Sequence, residues 1–197
     1  AQVIEASGKY LLPGLIDDQV HFREPGLTHK GTIESESRAA VAGGITSFME
    51  MPNTAPQTTT VEALEAKFAI ASRSSWGNYS FKMGATNNNL EEILKVDHQR
   101  VAGLKIFLGS STGNMLVDDP VVLENVFRKT PLRISVHCED EPTVARNMRE
   151  YLERYGEDIP IHCHAEIRSA EACYISSSAA IELAKKTGTR LHVFHLS

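Results

Sequence analysis

Short apolar segments alternate with longer amphipathic segments along the chain. In the longer segments, apolar residues recur at intervals of three and four, which is typical of helices that pack one face on a core. These predicted helices cover residues 28–43, 61–74, 87–96, 119–130, 141–155 and 169–188. The apolar segments, several with alternating β-branched and aromatic residues, predict six strands. They cover residues 10–16, 45–51, 78–86, 101–108, 132–137 and 191–196.

A regular order of strand and helix favours parallel βαβ units, and hence the α/β class. The chain has no Gly-x-Gly-x-x-Gly pattern and no phosphate loop, so a (β/α)₈ TIM-type barrel is the preferred fold. A doubly wound sheet is the second choice. A complete barrel has eight units and typically ~250 residues, so this chain supplies about the first six. We expect residues 1–13 to end a preceding β segment and residues 14–197 to form barrel strands one to six, with strands seven and eight missing.

The overall composition narrows the class of protein. Of 197 residues, 42% are hydrophobic and 23% charged, which fits one globular unit. The net charge is −5 and basic residues do not cluster, so we expect no nucleic-acid partner. No apolar run approaches the ~20 residues of a membrane span. The cysteines are odd in number and lack a Cys-x-x-Cys spacing, so a reduced, cytoplasmic location is expected.

The first predicted strand runs into a polar stretch with three chemically distinct side chains. Gln19, His21 and Arg23 follow its apolar part, and Pro25-Gly26 then turns the chain. Residues two apart in a strand share a face, so we expect these three side chains to point into one pocket. The pocket would hold an amide, an imidazole suited to a metal and a guanidinium suited to an anion.

Later strands add further polar residues at their ends. Asn53 follows strand two, while strands five and six end in His137 and His195. Because the carboxyl ends of parallel barrel strands meet on one face, these residues should approach the first pocket. Histidine is the commonest metal ligand among side chains. Lys105 lies inside the apolar fourth strand, where an ammonium must find an anion or lose its charge. Reaction of the neutral amine with carbon dioxide would give a carbamate that can bridge two metal ions.

The combined motifs resemble those of dihydroorotases, which are cyclic amidohydrolases of the amidohydrolase superfamily. The resemblance covers nearly the whole chain. It rests on Gly14-Leu-Ile-Asp17, His21-Phe-Arg-Glu-Pro-Gly26, Ala42-Gly-Gly-Ile-Thr46, Met51-Pro-Asn-Thr54, Lys105, His137-Cys-Glu-Asp140 and His195-Leu-Ser197. Any one of these pieces alone would be weak, but the combination is highly specific.

The resemblance implies a zinc site and a substrate site. Carried over by position, the metal ligands are His21, Lys105 as a carbamate, His137 and His195. Arg23 would bind the substrate carboxylate, and Asn53 would also contact substrate. The aspartate that shuttles a proton in this family follows strand eight, outside this chain.

Gln19 departs from the family pattern, because the family has a histidine there. Glutamine offers zinc only a neutral, hard oxygen, so Gln19 is a doubtful ligand. The position shared by the carbamate, His137 and His195 looks complete. We therefore expect one or two Zn²⁺ ions, with the one nearest Gln19 held more weakly.

Each residue also has a less specific interpretation. Lys105 could reach water along its aliphatic stem, and Arg23 could pair with Glu24 or Asp18. His162 and His164 have ligand-like spacing but lie in a connecting stretch, so we interpret them as loop or partner-facing. His29, His98 and His192 are interpreted as structural or solvated, and the loop of residues 109–114 as mobile cover for the site or as a phosphate nest.

The expected function is that of a zinc-dependent dihydroorotase, which reversibly cyclises N-carbamoyl-L-aspartate to L-dihydroorotate in pyrimidine biosynthesis. The alternatives are a hydantoinase-like or allantoinase-like cyclic amidohydrolase and a non-catalytic, dihydroorotase-like scaffold. The expected partner is a small-molecule substrate, and a homodimer is the candidate assembly.

Overall fold

Six parallel strands form one curled sheet in the order in which they occur along the chain. The computed structural model describes residues 3–109 and 115–196. Each strand pairs in parallel with the next one in sequence. A doubly wound sheet would reverse its strand order at a switch point, so the observed order is that of a barrel. The strands are β1 Leu15–Val20, β2 Ile45–Glu50, β3 Asn78–Gly84, β4 Gly103–Leu108, β5 Ile134–Cys138 and β6 Leu191–Val193.

The helices cover the outer face of the sheet, and local sequence sets their ends. Thr32 and Ser35 form a capping box at the first helix, and Asp140 caps the fifth. Gly188, at φ 76°, ends the last one in a left-handed conformation that suits glycine. The helices are α1 Ile33–Ala42, α2 Val61–Ser74, α3 Leu90–Lys95, α4 Pro120–Lys129, α5 Glu141–Tyr155, α6 His164–Ile167 and α7 Ala170–Thr187, with a 3₁₀ helix at Ile161–Cys163.

The two faces of the sheet differ in polarity. Phe81 of β3 packs its ring edge-on against Phe68 of α2, which places it in the apolar layer between sheet and helices. Its neighbour Lys82 therefore points to the inner side, where its Nζ donates to Ser135 Oγ of β5 at 3.1 Å. Lys82, Lys105 and Ser135 are all buried. The inner side is thus unusually polar for a barrel interior.

The prediction of a buried first strand over residues 10–16 is wrong. The strand begins at Leu15, and the described residues before it form neither strand nor helix. Tyr10 and Leu11 are 94% and 97% exposed. Within the described residues β1 pairs only with β2, so nothing covers this apolar run from the other edge. The division of the chain at residue 13 stays a prediction.

Two further boundaries differ from expectation. The third helix begins at Leu90 rather than residue 87, because the Asn89 side chain ties the preceding loop together instead of capping: its Oδ1 accepts from Thr86 N–H, and its Nδ2 donates to the Gly84 and Thr59 carbonyls. The connecting stretch around His162 and His164 is not wholly irregular, because it contains the 3₁₀ helix and α6.

Several negative observations apply to the described residues only. Of the loop predicted at 109–114, residues 110–114 lie outside them, as does Ser197. None of the helices in the described ranges is long and apolar enough to cross a membrane. Cys138, Cys163 and Cys173 are buried and free.

Candidate active site

The loops that follow β1 and β2 are joined into one unit. The His21 Nδ1–H donates to Asn53 Oδ1 at 2.7 Å, and Arg23 Nη1 lies 3.5 Å from the Asn53 carbonyl oxygen. Backbone hydrogen bonds from Met51 to Val20 and from Ala55 to Pro25 reinforce this contact. The structure thus brings together His21, Arg23 and Asn53, three of the residues that sequence reasoning selected.

The strand alternation that the sequence suggested is not what brings these three residues together. β1 ends at Val20, so His21 and Arg23 both lie beyond it, and Arg23 has a left-handed φ of 71°. Gly26, at φ 82°, touches the other loop so closely that a Cβ there would lie 1.8 Å from the Ala55 carbonyl oxygen. Loop geometry, rather than strand periodicity, aims the guanidinium.

His21 is held as a neutral imidazole with one bare nitrogen. Burial lowers its pKa to about 4, and the charges of Arg23 and Lys105 act in the same direction. Because Nδ1 donates to Asn53, the proton sits there and Nε2 keeps its lone pair. That is the state in which imidazole binds a metal.

A second cluster lies at the ends of β5 and β6. The Nδ1 of His137 faces the Nε2 of His195 at 3.3 Å. On its other side, His137 Nε2 lies 2.5 Å from Glu139 Oε2. Arg168 holds that carboxylate with two nitrogens, its Nε at 2.7 Å from Oε1 and its Nη2 close to Oε2. Arg168 and His137 lower the Glu139 pKa against the effect of burial, so the group is a carboxylate.

Glu139 selects the tautomer of His137. A carboxylate only accepts hydrogen bonds, so His137 Nε2 carries the proton and Nδ1 is bare. Burial lowers the His137 pKa, with Glu139 opposing, which favours the neutral ring. The Nδ1 of His137 and the Nε2 of His195 thus face each other, and the remaining nitrogen of His137 donates to a carboxylate. Histidines that bind zinc commonly donate their second ring nitrogen in this way.

Lys105 lies between the two clusters. It is 1% exposed, and its Nζ sits 4.7 Å and 4.8 Å from the ring centroids of Phe107 and Phe194. Burial is the main cause that lowers its pKa to about 7, while Cys138 opposes this shift and the neighbouring Lys82 charge adds to it. Its charge also lowers the pKa of His21 and of His137, so it is electrostatically coupled to both sides.

The side chains of histidine, cysteine, aspartate and glutamate do not by themselves form a three-ligand metal site within residues 3–109 and 115–196. A metal centre confined to these residues would therefore need a ligand of another kind. Gln19 donates its backbone N–H to Asp17 Oδ1, and its side chain makes no hydrogen bond or ion pair with another described residue. The four ligand assignments stay predictions.

A cavity of about 430 Å³ opens beside the second cluster. It is lined by His137, Glu139, Arg168 and His195, and also by His164. His164, interpreted as loop or partner-facing, is exposed at the start of α6 and also lies at the edge of this cavity. His192 of β6 also approaches β1, since its Nε2 lies 3.4 Å from Asp18 Oδ2.

Sequence comparison identifies the family. The model described as Dihydro-orotase-like matches residues 8–197, which is almost the whole chain. The chain belongs to the dihydroorotase-like family.

Individual relatives within this dihydroorotase-like family carry different activity names. A dihydroorotase of Methanosphaera stadtmanae is 33% identical over 187 residues, covering 95% of this chain and 42% of the relative. An allantoinase of Bacillus velezensis is 32% identical over 201 residues, covering 100% and 44%. The L-hydantoinase structure from Arthrobacter aurescens superposes with a TM-score of 0.89 at 29% identity, covering 98% of this chain and 44% of that one. The chain thus spans less than half the length of the relatives it matches.

Four residues of this dihydroorotase-like chain were missed by sequence reasoning. Glu139 had a signal, since it lies two residues after a candidate ligand in a His-Cys-Glu-Asp motif. Arg168 had none, because its contact with Glu139 spans 29 residues. Glu50 and Lys67 form a buried pair behind the first cluster, and sequence reasoning assigned a role to neither.

Proposed function

We propose that this chain carries the zinc-binding and substrate-binding residues of a dihydroorotase, which reversibly cyclises N-carbamoyl-L-aspartate to L-dihydroorotate in pyrimidine biosynthesis. The observation that carries the proposal is Arg23, aimed by two joined loops beside His21 and Asn53. A guanidinium so placed suits a substrate that bears a carboxylate next to its reacting ring. Membership of the dihydroorotase-like family supports it.

The donor set fits zinc. His137 Nδ1, His195 Nε2 and a carbamate on Lys105 would hold one ion, and His21 Nε2 would serve a second together with the same carbamate. When bound, zinc supplies Lewis-acid polarisation of the amide carbonyl and makes water acidic enough to act near neutral pH. Gln19 would leave the second ion weakly held, and we expect metal analysis of the intact protein to find one tight zinc and a weaker second.

The environment of Lys105 supports the proposed carbamate. With a pKa of about 7, a large fraction of the amine is neutral near pH 7, whereas an ordinary lysine is almost wholly charged. The neutral nitrogen attacks carbon dioxide, an N–C bond forms and a proton is released. The product is an anion that balances the nearby charge of Lys82.

The other residues would bind and orient. Arg23 would hold the α-carboxylate through two parallel hydrogen bonds, and Asn53 would fix the ring against it. Glu139 would keep His137 in the tautomer that presents Nδ1. The proton-shuttling aspartate of the family lies outside this chain, so the intact protein must supply that group.

A hydantoinase-like or allantoinase-like activity is the second candidate, favoured by relatives with those names. The cyclic ureides that such enzymes handle do not carry this carboxylate, which would leave Arg23 without an anion to bind. A non-catalytic scaffold is a third candidate, motivated by Gln19. A scaffold gains nothing from the bare nitrogens of His21 and His137, and it would bind no zinc and turn over no substrate.

The test compares Arg23→Gln with the unchanged intact protein on L-dihydroorotate and on hydantoin. Loss of a bidentate carboxylate contact should lower kcat/KM for dihydroorotate by about 10²-fold and change any hydantoin turnover less than about threefold. Arg38→Gln, which removes an exposed arginine on α1 near Trp76, is the matched control and should change neither. Equal dihydroorotate turnover by wild type and Arg23→Gln would refute the role of Arg23. A wild-type preference for hydantoin would select the second candidate.

A further inference from the structure

A fully buried ion pair lies directly behind the β1 and β2 loops. Glu50, the last residue of β2, meets Lys67 of α2 in the layer between sheet and helix. Their side chains are 1% and 0% exposed. This pair is outside the inner face that carries Lys105, and the proposed function has no use for it.

The pair is expensive to bury and so requires an explanation. Two charges taken out of water lose solvation free energy that their mutual attraction offsets only in part, and well-packed apolar residues often stabilise a fold equally well. Burial raises the pKa of Glu50 to about 7, opposed by Lys67, and lowers the pKa of Lys67, opposed by Glu50. Stability alone is therefore a weak reason for this pair.

Lys67 contacts both ends of the loop that carries Asn53. Its Nζ donates to the Met51 carbonyl oxygen at 2.8 Å and to Thr58 Oγ1 at 3.4 Å. Within that loop, the N–H groups of Thr54 and Thr58 both donate to the Pro52 carbonyl oxygen at 2.9 Å. One ammonium thus closes the loop of residues 51–58 at its base.

Glu50 lies beside the other loop. It pairs with Val20 at the end of β1, and the N–H of the next residue, Met51, donates to the Val20 carbonyl oxygen at 2.9 Å. The backbone N–H groups of Phe22 and Arg23 oppose the burial-driven rise of the Glu50 pKa. Arg23 is the residue with the left-handed backbone, so an anion at this point stabilises the conformation that aims its guanidinium. Lys67 therefore holds the loop of residues 51–58, and Glu50 supports the loop of residues 21–26.

We propose that Glu50 and Lys67 form a positioning pair, which fixes the loops of residues 21–26 and 51–58 so that Arg23 and Asn53 are preorganised for a carboxylate-bearing cyclic amide. The substrate class rests on the proposed function, whereas the clamping of the loops does not. Neither residue touches substrate. The pair affects the affinity for substrate. If the loops are ordered for only part of the time, the apparent dissociation constant rises in inverse proportion to the ordered fraction.

The experiment uses the intact protein and three variants: Glu50→Gln, Lys67→Met and the double variant. Each is measured for thermal midpoint, zinc content, kcat and KM for dihydroorotate, and backbone hydrogen exchange without substrate. Single variants leave one buried charge unpaired and should lower the midpoint, whereas the double variant leaves none and should recover most of it. Lys67→Gln, whose amide can still donate to the Met51 carbonyl, is the conservative rescue.

We expect the double variant to separate positioning from stability. Its midpoint should return towards wild type while exchange in residues 21–26 and 51–58 stays at least about tenfold faster and KM about tenfold higher, with zinc content unchanged and kcat within about threefold. Lys67→Gln should fall between Lys67→Met and wild type in both exchange and KM. The control is Glu65→Gln, which breaks an exposed α2 pair with Arg100 and should alter none of these.

The proposal would be overturned if both loops of the double variant exchanged at the wild-type rate. It would equally be overturned if KM and loop exchange in the double variant returned to wild type together with its thermal midpoint. Either would mean that the pair serves only stability. Absence of dihydroorotate turnover by the unchanged protein would refute the proposed function alone, because loop exchange is measured without substrate.

Discussion

The two sides of the candidate site are built in different ways. On the β1–β2 side, His21, Arg23 and Asn53 are fixed by hydrogen bonds between neighbouring loops and by a buried ion pair behind them. On the β5–β6 side, two imidazole nitrogens face each other at 3.3 Å, and His195 is exposed with a left-handed φ of 30°. The first side is held in place by its own hydrogen bonds, whereas the second leaves two lone-pair positions to share one proton or one ion.

Under the proposed function, this difference supports separate roles for the two sides. A preorganised group recognises a substrate at low entropic cost, which suits the side that carries Arg23. Facing nitrogens with an outer-shell carboxylate suit a metal ion, whose binding free energy can complete the local structure. Lys105, coupled to His21 and His137, connects the two sides. Removing one feature at a time should therefore affect substrate affinity and metal affinity separately.

The largest effect is expected from Lys105→Met, because this change removes the group that joins the two sides. Without an amine no carbamate forms, and dihydroorotate turnover by the intact protein should fall by on the order of 10³-fold or more. Zinc content should fall with it. Lys129→Met, which removes an exposed lysine at the end of α4, is the control and should keep turnover within about threefold. Full activity of Lys105→Met would exclude a carbamate mechanism.

An intermediate effect is expected from Glu139→Gln, which alters only the β5–β6 side. The amide no longer enforces the His137 tautomer, and outer-shell changes of this kind typically weaken metal binding by about 10–100-fold. Competition with a chelator would measure the zinc dissociation constant, and KM for dihydroorotate at saturating zinc should be unchanged. Glu171→Gln, which breaks an exposed pair with Arg146, serves as the control. A change in KM with unaltered zinc affinity would contradict the separate roles of the two sides.

The sequence predicted the elements better than the contacts between them. Helical spacing placed α2 and α5 at their observed limits, and strand–helix alternation identified the barrel. Periodicity failed at residues 10–16, because an apolar run is buried only where another element covers it. It also could not foresee Arg168 on Glu139 or Lys67 behind Asn53, since such pairs depend on how separate helices meet the sheet.

The smallest effect, and the most direct test of Lys105, is the pH dependence of reactivation by bicarbonate. After acidic, carbon-dioxide-free treatment strips the carbamate, only the neutral amine can react again. Because burial lowers the Lys105 pKa to about 7, the neutral fraction should rise tenfold per pH unit below that value and level off above it. At a fixed concentration of dissolved carbon dioxide, reactivation at pH 6 should thus be about tenfold slower than on the plateau. Arg23 lies on the other side of the site, so the Arg23→Gln variant should show the same pH dependence of reactivation at a lower activity. A rate that keeps climbing towards pH 10 would indicate an ordinary, solvated lysine, and would remove Lys105 as the link between the two sides.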